Sequence, residues 1–237
     1  MNRFQNKTVI VTGGAKGIGK CIAESFRKEG ADVCVFDLLE NDGFQGDLGK
    51  KVDIEKFVQT VLLKHDCVDV IVNNAKPIFK GIDECTYEEF QYALNVGVTG
   101  AFWMVKLLKD HLSKDASIIN ISSTRDSQSM PQSESYAAAK GGIRALTHAL
   151  AVSLSGKARV NSISPGWIET EDAVYEGADA LQQPVGRVGN VNDIASLVLF
   201  LASEEAGFIT GENIAVDGGM SKLMIYHGEH GWNLDVE

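Results

Sequence analysis

The stretch that decides the fold runs Thr8-Val9-Ile10-Val11-Thr12-Gly13-Gly14-Ala15-Lys16-Gly17-Ile18-Gly19. Its first residues are apolar and β-rich, which is typical of a strand buried on both faces of a parallel sheet. The glycines that follow permit a tight turn and let backbone N–H groups approach a pyrophosphate. Apolar Ile18, Ile22 and Phe26 then recur at helical spacing, and a helix N-terminus supplies partial positive charge. This order indicates a dinucleotide-binding unit, with a plain structural turn as the alternative.

The same alternation of strand and helix continues along the chain. Further strand-like runs cover residues 33–36, 70–72, 117–121, 160–163 and 214–216. Helical patterns cover residues 17–29, 54–63, 135–155 and 192–201, and a capping box at Thr86 opens another long helix. We therefore expect an α/β fold with a doubly wound, Rossmann-like parallel sheet of about seven strands and helices on both faces. Residues 1–237 are expected to form a single domain with a C-terminal tail from about residue 221.

The composition narrows the classes of function. Hydrophobic residues make up 44% of the 237 residues and charged residues 23%, which is typical of a folded globular protein. The net charge of −10 argues against a nucleic-acid partner. Since no apolar stretch reaches the about 18 residues of a membrane span and no charged-then-apolar leader precedes the first strand, we expect a cytoplasmic protein. The four cysteines stand far apart without a CxxC pair, so we expect buried free thiols and no metal site.

Three further residues carry chemistry. Asp37 follows the second strand about twenty residues past the glycines, where a carboxylate can accept hydrogen bonds from the ribose hydroxyls of a dinucleotide. Tyr136 and Lys140 are four residues apart on the Ala-rich helix and share a face. A nearby cation favours the phenolate and lowers the pKa of a tyrosine, which can then exchange a proton with a substrate oxygen while hydride moves at the adjacent carbon.

With these residues in place, the sequence resembles the short-chain dehydrogenases/reductases of the compact, single-domain type over nearly its whole length. The matching segments, in family order, are residues 12–19 for TGxxxGxG, Asn73-Asn74-Ala75 for NNAG, Asn95, Ser123, the Tyr136/Lys140 pair for YxxxK, Pro165-Gly166 with Thr170, and Asp217-Gly218-Gly219. The resemblance implies an NAD(P)-dependent enzyme that interconverts a carbonyl and a secondary alcohol on a small substrate.

The resemblance also implies a role for each catalytic residue. Tyr136 would be the acid/base, and Lys140 would lower its pKa and bind the nicotinamide ribose. Ser123 would hydrogen-bond the substrate oxygen, and Asn95 would hold a water that relays protons from Lys140. The implied cofactor-binding residues are Gly13, Lys16, Gly17, Ile18, Gly19, Asp37, Asp47, Leu48, Asn74, Ala75, Tyr136, Lys140, Pro165, Gly166, Ile168 and Thr170.

Two residues favour different cofactors. Lys16 occupies a position where this family often carries a basic residue that meets the 2′-phosphate of NADP. The Asp37 carboxylate would repel that phosphate, and Leu38 and Leu39 after it cannot pair with one. We therefore expect NAD rather than NADP.

The sequence departs from the family pattern at three places. Lys76 replaces the glycine of NNAG, and either approaches the mouth of the site or is a solvated lysine. Only nine residues separate Asp37 from Asp47, so we expect a turn and a short third strand at residues 44–48 in place of a helix. The segment 169–185, which in this family covers the substrate, is short. Arg125 after the serine either meets an acidic substrate or faces outward.

Two other functions remain as alternatives. A cofactor-sensing regulator would keep the glycine-rich turn and lose the Tyr136/Lys140 pair. A 3-oxoacyl carrier-protein reductase would need a basic docking face, which the net charge of −10 disfavours. The resemblance also implies a homotetramer, in which the helices beginning near Thr86 and Ser135 pair with their symmetry mates.

Overall fold

The computed structural model describes residues 2–171, 173–229 and 231–233. A parallel sheet of seven strands forms its centre, in the order β3-β2-β1-β4-β5-β6-β9. These strands are β1 (Thr8–Thr12), β2 (Asp32–Asp37), β3 (Phe44–Gln45), β4 (Val68–Asn73), β5 (Leu112–Ile121), β6 (Ala158–Pro165) and β9 (Asn213–Val216). A separate two-stranded sheet pairs β7 (Ile168–Glu169) with β8 (Gly189–Asn190). The expected doubly wound sheet is confirmed, and the small second sheet is an addition that its two-residue strands do not reveal in the sequence.

Helices cover both faces of the central sheet. They are α1 (Gly17–Lys28), α2 (Lys51–Leu62), α3 (Tyr87–Leu94), α4 (Gly100–Leu108), α5 (Glu134–Ser153), α6 (Gly177–Leu181) and α7 (Val191–Ala202). Alternate residues of β1 enter opposite layers: Ile10 packs with α2, α4 and α5, whereas Val9 and Val11 pack with α1 and α7. The continuous apolar runs in the sequence therefore reflect two cores, one on each face of the sheet.

The connection between β2 and β3 is a turn, as expected. Residues 38–43 are all described and contain no helix, and Asn41 Oδ1 accepts a hydrogen bond from the Gly43 N–H at 2.7 Å. The expected strand at 44–48 is too long by three residues, since pairing with β2 ends at Gln45. Leu48 turns into the core instead, with 8% of its surface exposed.

The long helix expected from Thr86 is interrupted. Thr86 and Glu89 form the expected capping box, and α3 then passes into a π-helical turn at Asn95–Thr99 before α4 begins. Gly100 explains the close packing after this turn, because a Cβ there would lie 2.8 Å from the backbone oxygen of Leu48. Single π turns within helices occur frequently at functional sites.

Three smaller features complete the fold. The covering segment after β7 contains the short helix α6, and no helix or strand follows residue 222 within the described part of the tail. No described helix is long and apolar enough to cross a membrane. The four cysteines are free, but the expectation that all are buried is wrong: Cys67 is exposed in the turn before β4, and the other three are partly exposed.

Candidate active site

A cavity of about 1130 Å³ opens where β1, β4, β5 and β6 end. Parallel strands with their helices on both faces leave such a crevice at their carboxyl ends, where the order of the strands reverses. Every residue that the sequence analysis assigned to the cofactor lines this cavity, and so does Ser123. The fold thus gathers segments from residue 13 to residue 170 around one space.

The glycine-rich turn has a backbone that only glycine fits. Gly13 and Gly17 have positive φ angles of 66° and 54°. A Cβ on Gly19 would lie 2.0 Å from the Gly13 oxygen, so no side chain can stand there. Lys16 precedes α1 without a side-chain hydrogen bond to the helix, and the first turn of α1 carries no acidic residue. This helix N-terminus therefore keeps backbone donors and positive charge for an anionic group, and the turn fits the pyrophosphate of a dinucleotide.

Two aspartates are held at one end of the cavity. Asp37 accepts the Ala15 N–H at 2.9 Å with Oδ2 and the Leu39 N–H at 2.8 Å with Oδ1. Asp47 Oδ1 accepts the Tyr92 hydroxyl at 2.9 Å and the Gly49 N–H at 2.8 Å. These bonds fix both carboxylates beside the glycine-rich turn, where the adenosine part of a dinucleotide fits.

The residues after β4 are tied to the same turn. Asn74 Nδ2 donates to the backbone oxygens of Thr12 and Gly13 at 3.1 and 2.9 Å. The Thr12 hydroxyl in turn accepts the N–H groups of Asn74 and Ala75 at 3.0 and 3.3 Å. The wall formed by Asn74 and Ala75 is therefore rigidly joined to the end of β1.

Tyr136 and Lys140 lie together at the other end of the cavity. The Lys140 Nζ is 5.4 Å from the centroid of the Tyr136 ring and donates to the Ile121 oxygen at 2.7 Å. The Ser122 hydroxyl donates to the Lys140 oxygen at 2.9 Å, and Ser123 is 8% exposed. The end of β5 is thus joined to α5, and a tyrosine, a lysine and a serine converge at one point.

Burial controls the ionisation of this pair. It lowers the pKa of Lys140 to about 7, with a smaller contribution from the positive charge of Lys76. Burial also raises the pKa of Tyr136, and the Ser123 hydroxyl and the charge of Arg125 oppose that rise. For Tyr136 desolvation outweighs the two effects that lower its pKa, and the expectation that Lys140 lowers this pKa stays a prediction.

Asn95 stands apart from the other expected catalytic residues. Its side chain is exposed and is not among the described residues that line the cavity, although Tyr92 and Val96 on either side are. Its backbone oxygen accepts the Gly100 N–H across the π-helical turn. The structure thus places Asn95 at an irregular turn beside the cavity, and the proton-relay role stays a prediction.

A buried carboxylate that the sequence analysis missed holds the turn after Ser123. The Asp126 side chain is 1% exposed and pairs with Arg144 at 3.2 Å. It also accepts the Ser164 hydroxyl at 2.6 Å and the Asn213 Nδ2 at 3.3 Å. These partners come from α5, β6 and β9, so one carboxylate fixes the turn against three elements.

Further side chains pack near Tyr136 or line the cavity beside it. Phe79 lies 5.4 Å from the Tyr136 ring between centroids, and the Arg125 guanidinium is 4.9 Å from the Phe79 centroid. Lys76 and Arg125 both line the cavity; Lys76 is exposed to solvent, whereas Arg125 is partly buried. Trp167 lines the cavity and also packs edge-on against Tyr175, with 4.7 Å between ring centroids.

Comparison with known proteins extends these observations. Residues 13–221 match the family described as enoyl-(acyl carrier protein) reductase. An uncharacterized oxidoreductase of Thermotoga maritima is 40% identical over 94% of this chain and 99% of its own length. Glucose 1-dehydrogenase 2 of Bacillus subtilis is 35% identical over 91% of this chain and 95% of its own length. An apo SCOR enzyme from Clostridium thermocellum is 45% identical, with a TM-score of 0.91 over 100% of both chains.

These likenesses cover the whole sheet and the segments that build the cavity. At these identities and coverages they reflect common descent as well as a common fold. The chain therefore belongs to the short-chain dehydrogenase/reductase family, which uses nicotinamide cofactors, and is an oxidoreductase that acts on CH–OH groups.

Proposed function

We propose that this enzyme interconverts a secondary alcohol and a carbonyl on a small substrate, with NAD as its cofactor and Tyr136 as its acid/base. The observation that carries the proposal is the convergence of Ser123, Tyr136 and Lys140 at one end of a cavity whose other end fits a dinucleotide. When bound there, the nicotinamide cofactor supplies or takes up hydride.

The residues at the reaction centre are suited to moving a proton. Tyr136 keeps its hydroxyl proton at neutral pH because burial raises its pKa, so it can donate that proton to a carbonyl oxygen. The Ser123 hydroxyl lies at the end of β5 and can hydrogen-bond the same substrate oxygen. Lys140, whose pKa burial lowers to about 7, is acidic enough to return a proton to the Tyr136 phenolate after the phenol has donated its own.

The proposed preference for NAD rests on Asp37. Both oxygens of its carboxylate accept backbone N–H groups, which holds the negative charge at the adenosine end of the cavity. A ribose with free hydroxyls can donate to this carboxylate, whereas a 2′-phosphate would meet a like charge.

We propose further that the enzyme works in the cytoplasm as a homotetramer. The four free cysteines support a reducing compartment. Helices α3, α4 and α5 each carry an exposed apolar or aromatic side chain, namely Tyr87, Phe102 and Val152. These side chains favour pairing of the three helices with their symmetry mates.

Similarity to a 3-oxoacyl-[acyl-carrier-protein] reductase of Thermotoga maritima, 32% identical over 92% of this chain, favours one second candidate, a reductase of 3-oxoacyl groups on a carrier protein. A 3-oxoacyl substrate would undergo the same proton and hydride transfers at its keto group. Turnover of a 3-oxoacyl thioester in preference to sugars and cyclic alcohols would establish this candidate.

The test of the proposed function is Tyr136→Phe. Absorbance of the reduced nicotinamide is followed with a panel of polyols, sugars, hydroxy acids and ketones, and the best substrate is carried forward. We expect the variant to lose at least about a hundredfold in rate, since acid/base groups contribute 10²–10⁴-fold. Cofactor binding should stay nearly intact, because only one hydroxyl is removed. A variant that keeps more than about a hundredth of the rate would show that Tyr136 is not the acid/base.

A further inference from the structure

Arg125 has a buried donor with nothing to donate to. Its Nη1 is shielded from solvent and has no hydrogen-bond partner among the described residues. The guanidinium lies 4.9 Å from the centroid of the Phe79 ring and lines the active-site cavity. A buried, unpaired donor of this kind is costly, and buried polar groups in folded proteins normally have partners.

None of the described acidic residues that line the cavity, which include Glu171, forms an ion pair with Arg125. Asp37, Asp47 and Asp217 each accept a backbone N–H group of their own turn, and Asp37 also accepts that of Ala15. The adjacent Asp126 is paired with Arg144 at 3.2 Å. Within the described part of the chain, no carboxylate oxygen lies within 4.0 Å of the Arg125 side chain. The guanidinium therefore carries an unbalanced positive charge into the cavity.

The position of this charge points to the substrate and not to the cofactor. Arg125 follows Ser123 by two residues, and its N–H donates to the Ser123 hydroxyl at 3.2 Å. Phe79 contacts both Arg125 and Tyr136, and the latter two line the cavity at the reaction centre. The glycine-rich turn and Asp37, where the phosphates and ribose of a dinucleotide fit, form the other end of the cavity. Lys76 adds a second cation near Lys140.

We propose that Arg125 binds a carboxylate of the substrate, an inference that rests on the proposed function. The substrate is then a secondary alcohol or ketone that also bears a carboxylate. A planar guanidinium against an aromatic ring presents its edge N–H groups as a fork, and this fork matches the two oxygens of a carboxylate. The positive charge of Lys76 attracts the same carboxylate at longer range. A substrate of this class places its reacting carbon at Tyr136 while its carboxylate supplies the acceptor that Arg125 lacks.

Binding of unreactive probes tests this proposal without any turnover. Cyclohexanecarboxylate and cyclohexanecarboxamide have the same shape and differ in charge, and their dissociation constants are measured by calorimetry on protein saturated with NADH. We expect the wild-type protein to bind the carboxylate at least about tenfold more tightly than the amide. Arg125→Gln should bring this ratio close to one, and Arg125→Lys should retain part of it.

Arg27→Gln serves as the matched control. It removes one positive charge from the surface of α1, where Arg27 pairs with Asp42 at 3.0 Å outside the cavity. The ratio should be unchanged in this variant. A wild-type ratio near one, no measurable binding of the carboxylate, a full ratio in Arg125→Gln, or tighter binding of inorganic phosphate than of the carboxylate would each overturn the proposal.

A kinetic experiment joins the inference to the reaction. Hydroxy acids such as 3-hydroxybutyrate and 3-hydroxycyclohexanecarboxylate are compared with their primary amides. The ratio of kcat/KM for acid over amide should exceed about ten in the wild type and fall about tenfold or more in Arg125→Gln. The carboxylate and amide probes bind without reacting. The calorimetric test of Arg125 can therefore fail or succeed independently of the Tyr136→Phe test of the proposed reaction.

Discussion

Replacement of Asp37 by asparagine should weaken the discrimination between NAD and NADP. The two backbone bonds, at 2.9 and 2.8 Å, prevent the carboxylate from turning away from a bound ribose. Asparagine keeps one oxygen acceptor and removes the charge. The exposed neighbours Leu38 and Leu39 offer a 2′-phosphate no compensating charge.

The magnitude follows from the separation of the charges. Two like charges about 4 Å apart repel by about 4 kcal/mol at an effective dielectric constant near 20. Asp37 is only partly buried, so solvent screening reduces this to about 1.5–2.5 kcal/mol. We therefore expect NAD to bind about 10- to 70-fold more tightly than NADP in the wild type, and Asp37→Asn to lose most of that ratio.

Fluorescence titration with NADH and NADPH measures both dissociation constants, at low and at high salt. The ratio should shrink at high salt, since screening weakens the repulsion. Asp42→Asn is the control, because it removes an equal charge from the same connection, where Asp42 pairs with Arg27. Tighter binding of NADPH than NADH by the wild type would refute the reasoning and show that Lys16 governs the choice. An unchanged ratio in Asp37→Asn would refute it equally.

Two other predictions concern Lys76 and the assembly. Lys76→Gly removes a charge that helps to lower the pKa of Lys140. The pH midpoint for labelling of Lys140 by an amine-acylating reagent should therefore move above about 7. An unmoved midpoint, together with unchanged Michaelis constants for cofactor and substrate, would show that Lys76 has no role at the site. Light scattering at micromolar concentration should give the mass of a tetramer, and the mass of a monomer would contradict the proposed pairing of α3, α4 and α5.

Elements with a strong local pattern could be predicted from the sequence. The strand-turn-helix unit at residues 8–28 and the capping box at Thr86 follow from neighbouring residues alone, and so does the missing helix between β2 and β3. The π-helical turn at Asn95–Thr99 could not be predicted, since no local pattern marks it and the close packing of Gly100 after it involves the distant residue Leu48. The sheet of β7 and β8 was missed for a similar reason, because strands of two residues have no periodicity.

The site residues also fall into those that a local motif predicts and those that depend on distant parts of the chain. All the predicted cofactor-binding residues and Ser123 line the cavity, whereas Asn95 does not. The role of Asp126 depends on Asn213, which is 87 residues away in the chain, so no local sequence pattern predicts this role. The sequence leaves both orientations of Arg125 open, because its contact with Phe79 joins residues that lie far apart in the chain.

The cations around the reaction centre connect substrate binding with the proton chemistry. The charge of Arg125 lowers the pKa of Tyr136, and the charge of Lys76 lowers that of Lys140. A carboxylate bound between these cations would offset both effects, because a negative charge favours the protonated form of a nearby phenol and of a nearby amine. Binding of such a substrate would therefore favour the protonated amine of Lys140 before reduction of a carbonyl, while Tyr136 keeps the proton that it already holds. The same charges that select the substrate would then prepare the acid that the reaction consumes.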